Sequence, residues 1–255
     1  METRFNRTEC FVGVFDILGF SNLIKTRKLE EVAELYSKVK KHFEEMLGYA
    51  NLLWNRDLVK FHNFSDTFLT NTSNKDDNNF QTLLYACGAL FLGVNEAAQN
   101  NNIAIRGAIS SGEIISVEGV LIGQPIIEAF EKEKQQEWIG CWITDQCLNR
   151  NQLKEYICDK SIVEYDIPLK ENEIVKNCYT FNWVKSIAHK YKVDKKNFNF
   201  GRKEIMGEIN FFKCEAERWG LKRKHDNTIS FVERVTTPEF VKEYTARRSD
   251  HTSKN

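Results

Sequence analysis

Residues 10–16 read Cys-Phe-Val-Gly-Val-Phe-Asp, an apolar run that ends on a single acid. A short apolar run of this length is typical of a strand buried inside a sheet. Residues 19–21, Gly-Phe-Ser, follow closely, and a glycine at this place favours a tight turn into a helix. We therefore predict that the strand ends at Asp16 and that a helix begins just after Gly19.

The sequence from residue 28 to residue 183 alternates between helical and extended patterns. Apolar residues at helical spacing predict helices over 28–52, 80–99 and 125–136. Short apolar runs between turn residues predict strands over 58–62, 67–70, 103–110, 113–117, 120–122, 138–144, 162–167 and 179–183. Such an order predicts an α/β protein, an α+β sandwich with its helices on one face of a mostly antiparallel sheet.

The composition suits one large domain with an appendage. The chain has 255 residues, of which 42% are hydrophobic, so it can bury a sizeable core and is not disordered as a whole. We predict a domain at 8–145, a C-terminal extension at 146–245 that packs on it, and a flexible tail at 246–255.

Charge and cysteine usage exclude several classes of protein. Lys plus Arg and Asp plus Glu each number 36, so nucleic acid is not expected as the main partner. Residues 184–224 nevertheless hold 12 Lys or Arg against five Asp or Glu, which keeps a nucleic-acid platform as a rival hypothesis. No apolar run is long enough to span a membrane, and seven cysteines without a CxxC pair favour a reduced, cytoplasmic protein.

Two acids stand out by their positions. Asp16 ends the first predicted strand, and Asp66 lies at the tip of the hairpin predicted over 58–70. If this hairpin packs beside the first strand, the two carboxylates meet, and such a pair persists best around a divalent cation. Gly19 would let the amides that open the next helix approach an anion, which completes the outline of a triphosphate site. Alternatively, Asp66 is a turn residue and Asp16 caps a helix.

Three segments together resemble the catalytic domain of class III nucleotidyl cyclases over much of 8–145. They are 15–21 (Phe-Asp-Ile-Leu-Gly-Phe-Ser), 63–68 (Asn-Phe-Ser-Asp-Thr-Phe) and 105–113 (Ile-Arg-Gly-Ala-Ile-Ser-Ser-Gly-Glu). Residues 123–131, 165–170 and 226–228 are further similar to the bacterial pyrimidine cyclases of Pycsar antiphage systems. The resemblance implies a ferredoxin-like cyclase fold with a C-terminal β/α extension.

The resemblance also implies metal-dependent chemistry at the paired acids. Asp16 and Asp66 would hold two ions per site, Mn²⁺ or Mg²⁺, with the backbone carbonyl of Ile17 as a further ligand. Arg106 would contact a phosphate and complete the catalytic set with the two acids. The residues implied in nucleotide binding are Ile17, Leu18, Gly19, Phe20, Ser21, His62 and Phe64.

Four positions depart from the pattern of the family. His62 and Val120 stand where purine cyclases carry Lys and Asp, so the hydrogen bonds that recognise adenine are missing. Ile127 and Glu131 replace the Asn and Arg that stabilise the transition state in adenylyl cyclases. Loss of one such group costs about 10²–10³ in rate, so another cation replaces it or the protein is slow or inactive.

The implied activity is conversion of UTP to 3′,5′-cyclic UMP and pyrophosphate, with CTP as the second candidate substrate. The resemblance implies a homodimer with its sites at the subunit interface. It also implies a role in antiviral defence, in which the product activates a separate effector. The rival hypotheses are a purine cyclase with an altered base pocket, an inactive nucleotide-binding or dimerisation module, and the nucleic-acid platform.

Overall fold

The computed structural model describes residues 5–53, 59–98, 103–147, 150–190, 217, 220–237 and 239. The described strands are β1 (Asn6–Leu18), β2 (Val59–Phe64), β3 (Thr67–Thr72), β4 (Ala104–Val117), β5 (Val120–Ile122), β6 (Cys141–Ile143), β7 (Ile162–Pro168) and β8 (Ile174–Phe181). The described α-helices are α1 (Phe20–Thr26), α2 (Leu29–Leu53), α3 (Asp77–Ala98), α4 (Gln124–Gln135), α5 (Arg150–Cys158), α6 (Trp183–Lys190) and α7 (Lys222–Val235). Within these residues, no helix has both the length and the apolar character that a membrane span requires.

The described strands form one sheet in the order β2-β3-β1-β4-β6-β8-β7, and β5 pairs with β4. Only β4 and β6 run parallel, whereas the other neighbours are antiparallel. Strand β1 lies between β3 and β4, so both of its edges are hydrogen-bonded along the sheet. The predicted α+β class with a mostly antiparallel sheet is confirmed.

Helices cover both faces of the sheet beside β1. Phe11 and Phe15 of β1 belong to the large apolar core that includes residues of α2 and α3. Val12 and Val14 instead form a smaller core with Ala129 of α4. Because alternate strand residues point to opposite faces, α4 lies on the face away from α2 and α3. The prediction that all the helices lie on one face is therefore wrong, since β1 is apolar on both faces.

Several strand boundaries also differ from the prediction. Strand β1 does not end at Asp16 but continues to Leu18, because Ile17 and Leu18 still pair with β4, and β8 begins at Ile174 instead of residue 179. Strand β4 continues through Ser111 and Gly112, which pair in register with Phe11 and Cys10 of β1. The ladder with β1 carries the strand across a pair of residues that look like a turn in isolation. The strand predicted over 138–144 shortens to β6, and the chain on its N-terminal side makes only isolated hydrogen bonds to β4 and β7 and also contacts α7.

Helix α7 packs on the chain that leads into β6. Phe231 is buried with its ring edge-on to Trp138, at a centroid distance of 4.8 Å. The Ile139 amide donates to Oγ1 of Thr228 over 2.9 Å, and Nδ2 of Asn227 donates to the Glu137 carbonyl over 2.7 Å. Residues beyond 145 thus join the same sheet and core. The boundary at 145 stays a prediction, and the tail at 246–255 lies outside the described residues.

Gly107 of β4 allows the Phe15 ring and the Val14 carbonyl of β1 to approach the backbone closely, and we expect no larger residue to fit there. A Cβ added there would overlap the Phe15 ring and lie 2.8 Å from the Val14 carbonyl oxygen. We expect Gly107→Ala to lower the free energy of unfolding by about 1–3 kcal/mol, because the ring and the strand must both shift. Urea denaturation of the two proteins measures this difference.

The matched control for that substitution is Gly48→Ala in α2. A Cβ at position 48 meets no atom within 4 Å. Alanine should therefore stabilise this helix by about 1 kcal/mol, since it loses less conformational entropy than glycine. Equal effects of the two substitutions would contradict the packing described for Gly107.

Candidate active site

Asp16 lies near the end of β1, between two neighbouring strands. Its register partners are Thr67 of β3 and Arg106 of β4. Because Val12 and Val14 face α4, the alternation along β1 directs the Asp16 side chain to that same face. The carboxylate is therefore part of a sheet surface that α4 borders.

The turn between β2 and β3 brings Asp66 to the end of β1. This turn contains only Ser65 and Asp66, because Phe64 already pairs with Thr67. Ser65 has a φ of 55°, the left-handed conformation that tight two-residue hairpins require. The Ile17 amide donates to the Asp66 carbonyl over 3.1 Å, which fixes the turn against β1. The structure thus places the two acids together, as the sequence predicts.

The negative charge of Asp66 contributes to a raised pKa of Asp16. The pKa of Asp16 is raised to about 7, first by burial and then by the negative charges of Glu133 and Asp66. Arg106 and Lys134 act in the opposite direction. Within the described part of the chain, no hydrogen bond reaches the carboxylate of Asp16 or of Asp66. Both therefore have lone pairs available for a cation, and repel each other without one.

The carboxylate oxygens of Asp16 and Asp66 fit a hard divalent cation whose remaining ligands are water and the phosphates of a bound substrate. The described residues contain no group of three or more His, Cys, Asp or Glu arranged to bind a metal. Mg²⁺ is commonly bound through one or two carboxylates, with waters and substrate phosphates as its other ligands. Asp16 and Asp66 suffice for such a site and do not suffice for a closed, all-protein metal cage.

The chain leaves β1 through Gly19 and begins α1 directly. Gly19 has a φ of 85°, a left-handed conformation that glycine adopts without strain. Phe20 and Ser21 form the first turn of α1, where helical amides lack a partner within the helix. The side chains of Ile17 and Leu18 are buried in the core, so only the backbone of these two residues could contact a nucleotide.

Strand β2 presents two of the predicted nucleotide-binding residues on the face that carries Asp16. Phe64 pairs with Thr67, which in turn pairs with Asp16, and the Phe64 side chain is 84% exposed. Nε2 of His62 lies 3.2 Å from Oδ1 of Asn71 on the adjacent strand. Both side chains are accessible from the side of the sheet where the acids lie.

Arg106, in contrast, is held by protein groups. Its Nε donates to Oε1 of Glu133 over 2.7 Å, and its Nη1 donates to the Gln136 carbonyl over 2.7 Å. The side chains of Arg106 and Glu133 are 6% and 4% exposed. A contact between Arg106 and a phosphate would require the guanidinium to leave these partners. In this structure Arg106 is half of a buried ion pair next to Asp16.

Glu133 and Gln136 of this network were not predicted from the sequence. Both occur in the polar run at 131–137, which looks like a solvated helix face. A signal was nevertheless present, because Pro125, Ala129 and Glu133 recur every fourth residue and are the buried residues of α4. Four-residue spacing marks one face of a helix, so Glu133 could have been assigned to the buried face.

Three of the four positions that depart from the class III cyclase pattern face solvent in this chain. Val120 of β5 and Ile127 of α4 are 55% and 52% exposed, and Glu131 is exposed as well. None of the three belongs to the buried network around Arg106. Most of the basic stretch at 184–224 lies outside the described residues, so a cation from it stays a prediction.

No protein-family model matches the sequence, and no curated protein matches it. Three similar solved structures can be named.

The adenylyl cyclase CyaB from P. aeruginosa is 16% identical, covers 70% of this chain and 95% of its own, and has a TM-score of 0.49. The guanylyl cyclase domain of the RhoGC fusion protein from the aquatic fungus Blastocladiella emersonii is 16% identical (60% and 90% covered, TM-score 0.45). An adenylate/guanylate cyclase/hydrolase from Silicibacter pomeroyi is 15% identical (70% and 98% covered, TM-score 0.48).

Proposed function

We propose that this protein is a metal-dependent nucleotidyl cyclase of the class III type. The observation that supports the proposal is the meeting of Asp16 and Asp66, fixed by the hydrogen bond from the Ile17 amide to the Asp66 carbonyl. Two carboxylates with open lone pairs lie where the chain turns at Gly19 into a helix. A divalent cation and a triphosphate need this combination of anionic ligands and nearby amide donors.

The chain's own residues have distinct parts in the proposed reaction. The carboxylates of Asp16 and Asp66 and the carbonyl of Ile17 would hold two ions, Mn²⁺ or Mg²⁺. When bound, these cations lower the pKa of the ribose 3′-hydroxyl and neutralise charge on the triphosphate. The amides of residues 18–21 would donate hydrogen bonds to phosphate oxygens.

The proposed reaction is a single in-line displacement within the nucleotide. A bond forms between the ribose 3′-oxygen and the α-phosphorus, and the bond from the α-phosphorus to the oxygen that bridges the β-phosphorus breaks. Pyrophosphate leaves with that bridging oxygen, and the proton of the hydroxyl passes to solvent. A direct phosphate contact from Arg106 remains part of the proposal, and it requires Arg106 to exchange Glu133 for the substrate.

Within this class we propose UTP as the substrate, with CTP as the second candidate. Val120 has no side-chain hydrogen-bonding group, so it cannot replace the Asp that reads a purine in related cyclases. His62 approaches Asn71 and is accessible from the face of the acids, where it could contact a base edge. The cyclic pyrimidine product would serve in the cytoplasm as a second messenger of antiviral defence, sensed by a separate effector.

We further propose that the active form is a homodimer with its sites at the subunit interface. Phe64, Val120 and Ile127 are large apolar side chains that remain exposed in the single chain. Phe64 lies beside the Asp16 end of β1 and Val120 beside its other end, so these side chains offer contact points along the length of the sheet to another protein surface. A second copy would bring its own α4 and β5 to such a surface.

The proposal predicts the outcome of a direct assay with four nucleotides. Purified protein is incubated with Mn²⁺ and, separately, with ATP, GTP, CTP and UTP, and the products are separated by chromatography and mass spectrometry. We expect cyclic UMP as the main product and cyclic CMP as the next. Cyclic AMP as the main product would show that the pyrimidine assignment is wrong.

An inactive nucleotide-binding module is the second candidate. Ile127 and Glu131 cannot act as the missing transition-state groups, and Arg106 is already paired with Glu133. The same assay separates the two candidates when it is combined with binding measurements. Tight, metal-dependent binding of a triphosphate without any cyclic product would identify the inactive module.

A further inference from the structure

His62 of β2 and Asn71 of β3 form a polar contact on the sheet face that carries Asp16. His62 pairs with Leu69 of β3, which in turn pairs with Val14 of β1. Val14 shares its face with Asp16, and Asn71 lies two residues beyond Leu69, so the contact belongs to that same face. Across the two strands, Nε2 of His62 lies 3.2 Å from Oδ1 of Asn71.

The side-chain amide of Asn71 is held in one orientation. Asn71 is buried, and its Nδ2 donates to the Thr72 carbonyl over 3.3 Å. A reversed amide would place Oδ1 against that carbonyl oxygen, so Oδ1 is the atom that faces His62. Because an amide oxygen only accepts hydrogen bonds, Nε2 of His62 must be the donor.

The other ring nitrogen of His62 is open. Among the residues that the structure describes, none forms a hydrogen bond with Nδ1, and this atom keeps access to solvent. In a neutral imidazole whose proton is on Nε2, Nδ1 carries a lone pair and can only accept a hydrogen bond. Neutral His62 therefore offers an acceptor, and no donor, to a ligand on this face.

We propose that Asn71 is a positioning residue that fixes His62 as the hydrogen-bond acceptor for the N3–H group of uracil. The inference rests on the proposed function, because it requires a nucleotide at this face, and it adds a reason to prefer UTP over CTP. Uracil has a proton at N3 that it can donate, whereas N3 of cytosine carries a lone pair that would oppose the lone pair of Nδ1. A site built for one hydrogen bond rejects an analogue that cannot form it, because its own polar groups are then left unpaired.

The test compares the binding of 3′-deoxy-UTP and 3′-deoxy-CTP, which lack the attacking hydroxyl and so cannot cyclise. Dissociation constants are measured by isothermal titration calorimetry with Mn²⁺ at pH 8, where imidazole is ordinarily neutral. We expect the wild type to prefer the uridine nucleotide. Asn71→Leu should lose about 3–10-fold of this preference, which is the contribution of one hydrogen bond.

The double variant shows whether Asn71 acts through His62. His62→Ala should lose the preference for the uridine nucleotide. Adding Asn71→Leu to His62→Ala should then change the preference no further, because the ring that Asn71 orients is gone. Additive effects of the two substitutions would overturn the inference.

The matched control is Thr70→Val in the same strand. Thr70 is also buried and lies on the opposite face of β3, where its hydroxyl donates to the Gly13 carbonyl over 3.3 Å. Loss of this hydroxyl should leave the preference between the two nucleotides unchanged. A purely structural role for Asn71 predicts the same of Asn71→Leu, with a changed melting temperature and an unchanged preference, and that result would contradict the inference.

Nitrogen-15 NMR of the imidazole tests the hydrogen bond without a nucleotide. In the wild type we expect the His62 proton on Nε2, in slow exchange with water, and in Asn71→Leu we expect fast exchange. A wild type without this proton would show that the role of Asn71 is wrong. If Asn71→Leu keeps the uridine preference, the role of Asn71 is wrong and the cyclase proposal stands. If neither nucleotide binds the wild type in the presence of Mn²⁺, the proposed function fails and the inference fails with it.

Discussion

Asp16→Asn is expected to reduce product formation by at least about 10²–10³-fold and, at pH 8, to stabilise the metal-free protein. The loss of activity follows because a neutral amide is a poor substitute for a carboxylate that holds a divalent cation. The gain in stability follows because the ionised Asp16 carboxylate lies partly buried beside other negative charges. The two effects have opposite signs, as expected for a residue retained for function.

The direction of the pH dependence follows from the raised pKa of Asp16. The pKa is about 7 in the folded protein against 3.8 for the unperturbed group, so the folded state binds the proton more tightly. Stability is therefore lost as the pH rises from about 4 to about 7, and the whole cost is present above pH 7. A difference of this size corresponds to at most about 4 kcal/mol at pH 8, and solvent around the carboxylate reduces it.

The measurement is the melting temperature of wild type and Asp16→Asn in EDTA, at pH 5 and at pH 8. We expect the stabilisation by asparagine to be larger at pH 8 than at pH 5. Mn²⁺ should then raise the melting temperature of the wild type and leave that of the variant unchanged, because binding to the folded state stabilises it. The control is Asp145→Asn, the same chemical change at an exposed position. Equal stabilisation at both pH values would contradict the assigned environment of Asp16.

Glu133→Ala is expected to lower the free energy of unfolding by about 3–5 kcal/mol. The substitution removes the carboxylate that accepts from Nε of Arg106 and leaves the guanidinium buried with an uncompensated charge. Breaking one side of a buried ion pair is costly because the remaining charge cannot regain water. The measurement is urea denaturation of the wild type and Glu133→Ala at neutral pH. The free energies of unfolding are compared only if both proteins show the same dependence on urea concentration.

The double variant Arg106→Met with Glu133→Leu tests the cause of that loss. Removing both charges leaves apolar side chains of similar length, so the double variant should be clearly more stable than Glu133→Ala alone. The control is Glu113→Ala, which breaks the exposed pair with Arg7 and should change stability by less than about 1 kcal/mol. A double variant as unstable as the single one would show that packing, rather than an unpaired charge, explains the loss.

Local sequence determined the elements that carry the candidate site. The run at 10–16 is apolar at every side chain before Asp16, so a buried strand and an isolated acid were both visible without a structure. Gly19 indicated the turn into α1, since few other residues adopt its backbone conformation without strain. The polar residues around Asp66 predicted a hairpin turn. These signals are local, because each depends on residues a few positions apart.

Only the tertiary structure decided which of these residues meet and in what environment. Arg106 and Glu133 are 27 residues apart and look like ordinary charged positions, yet the crossing of β4 and α4 buries them together. Tyr36 looks like one more apolar residue of α2, and only the packing of that helix stacks its ring on Phe68 of β3. Burial and long-range charge depend on which faces come together in space. Periodicity along the chain reports which face of an element is apolar, but not what that face will touch.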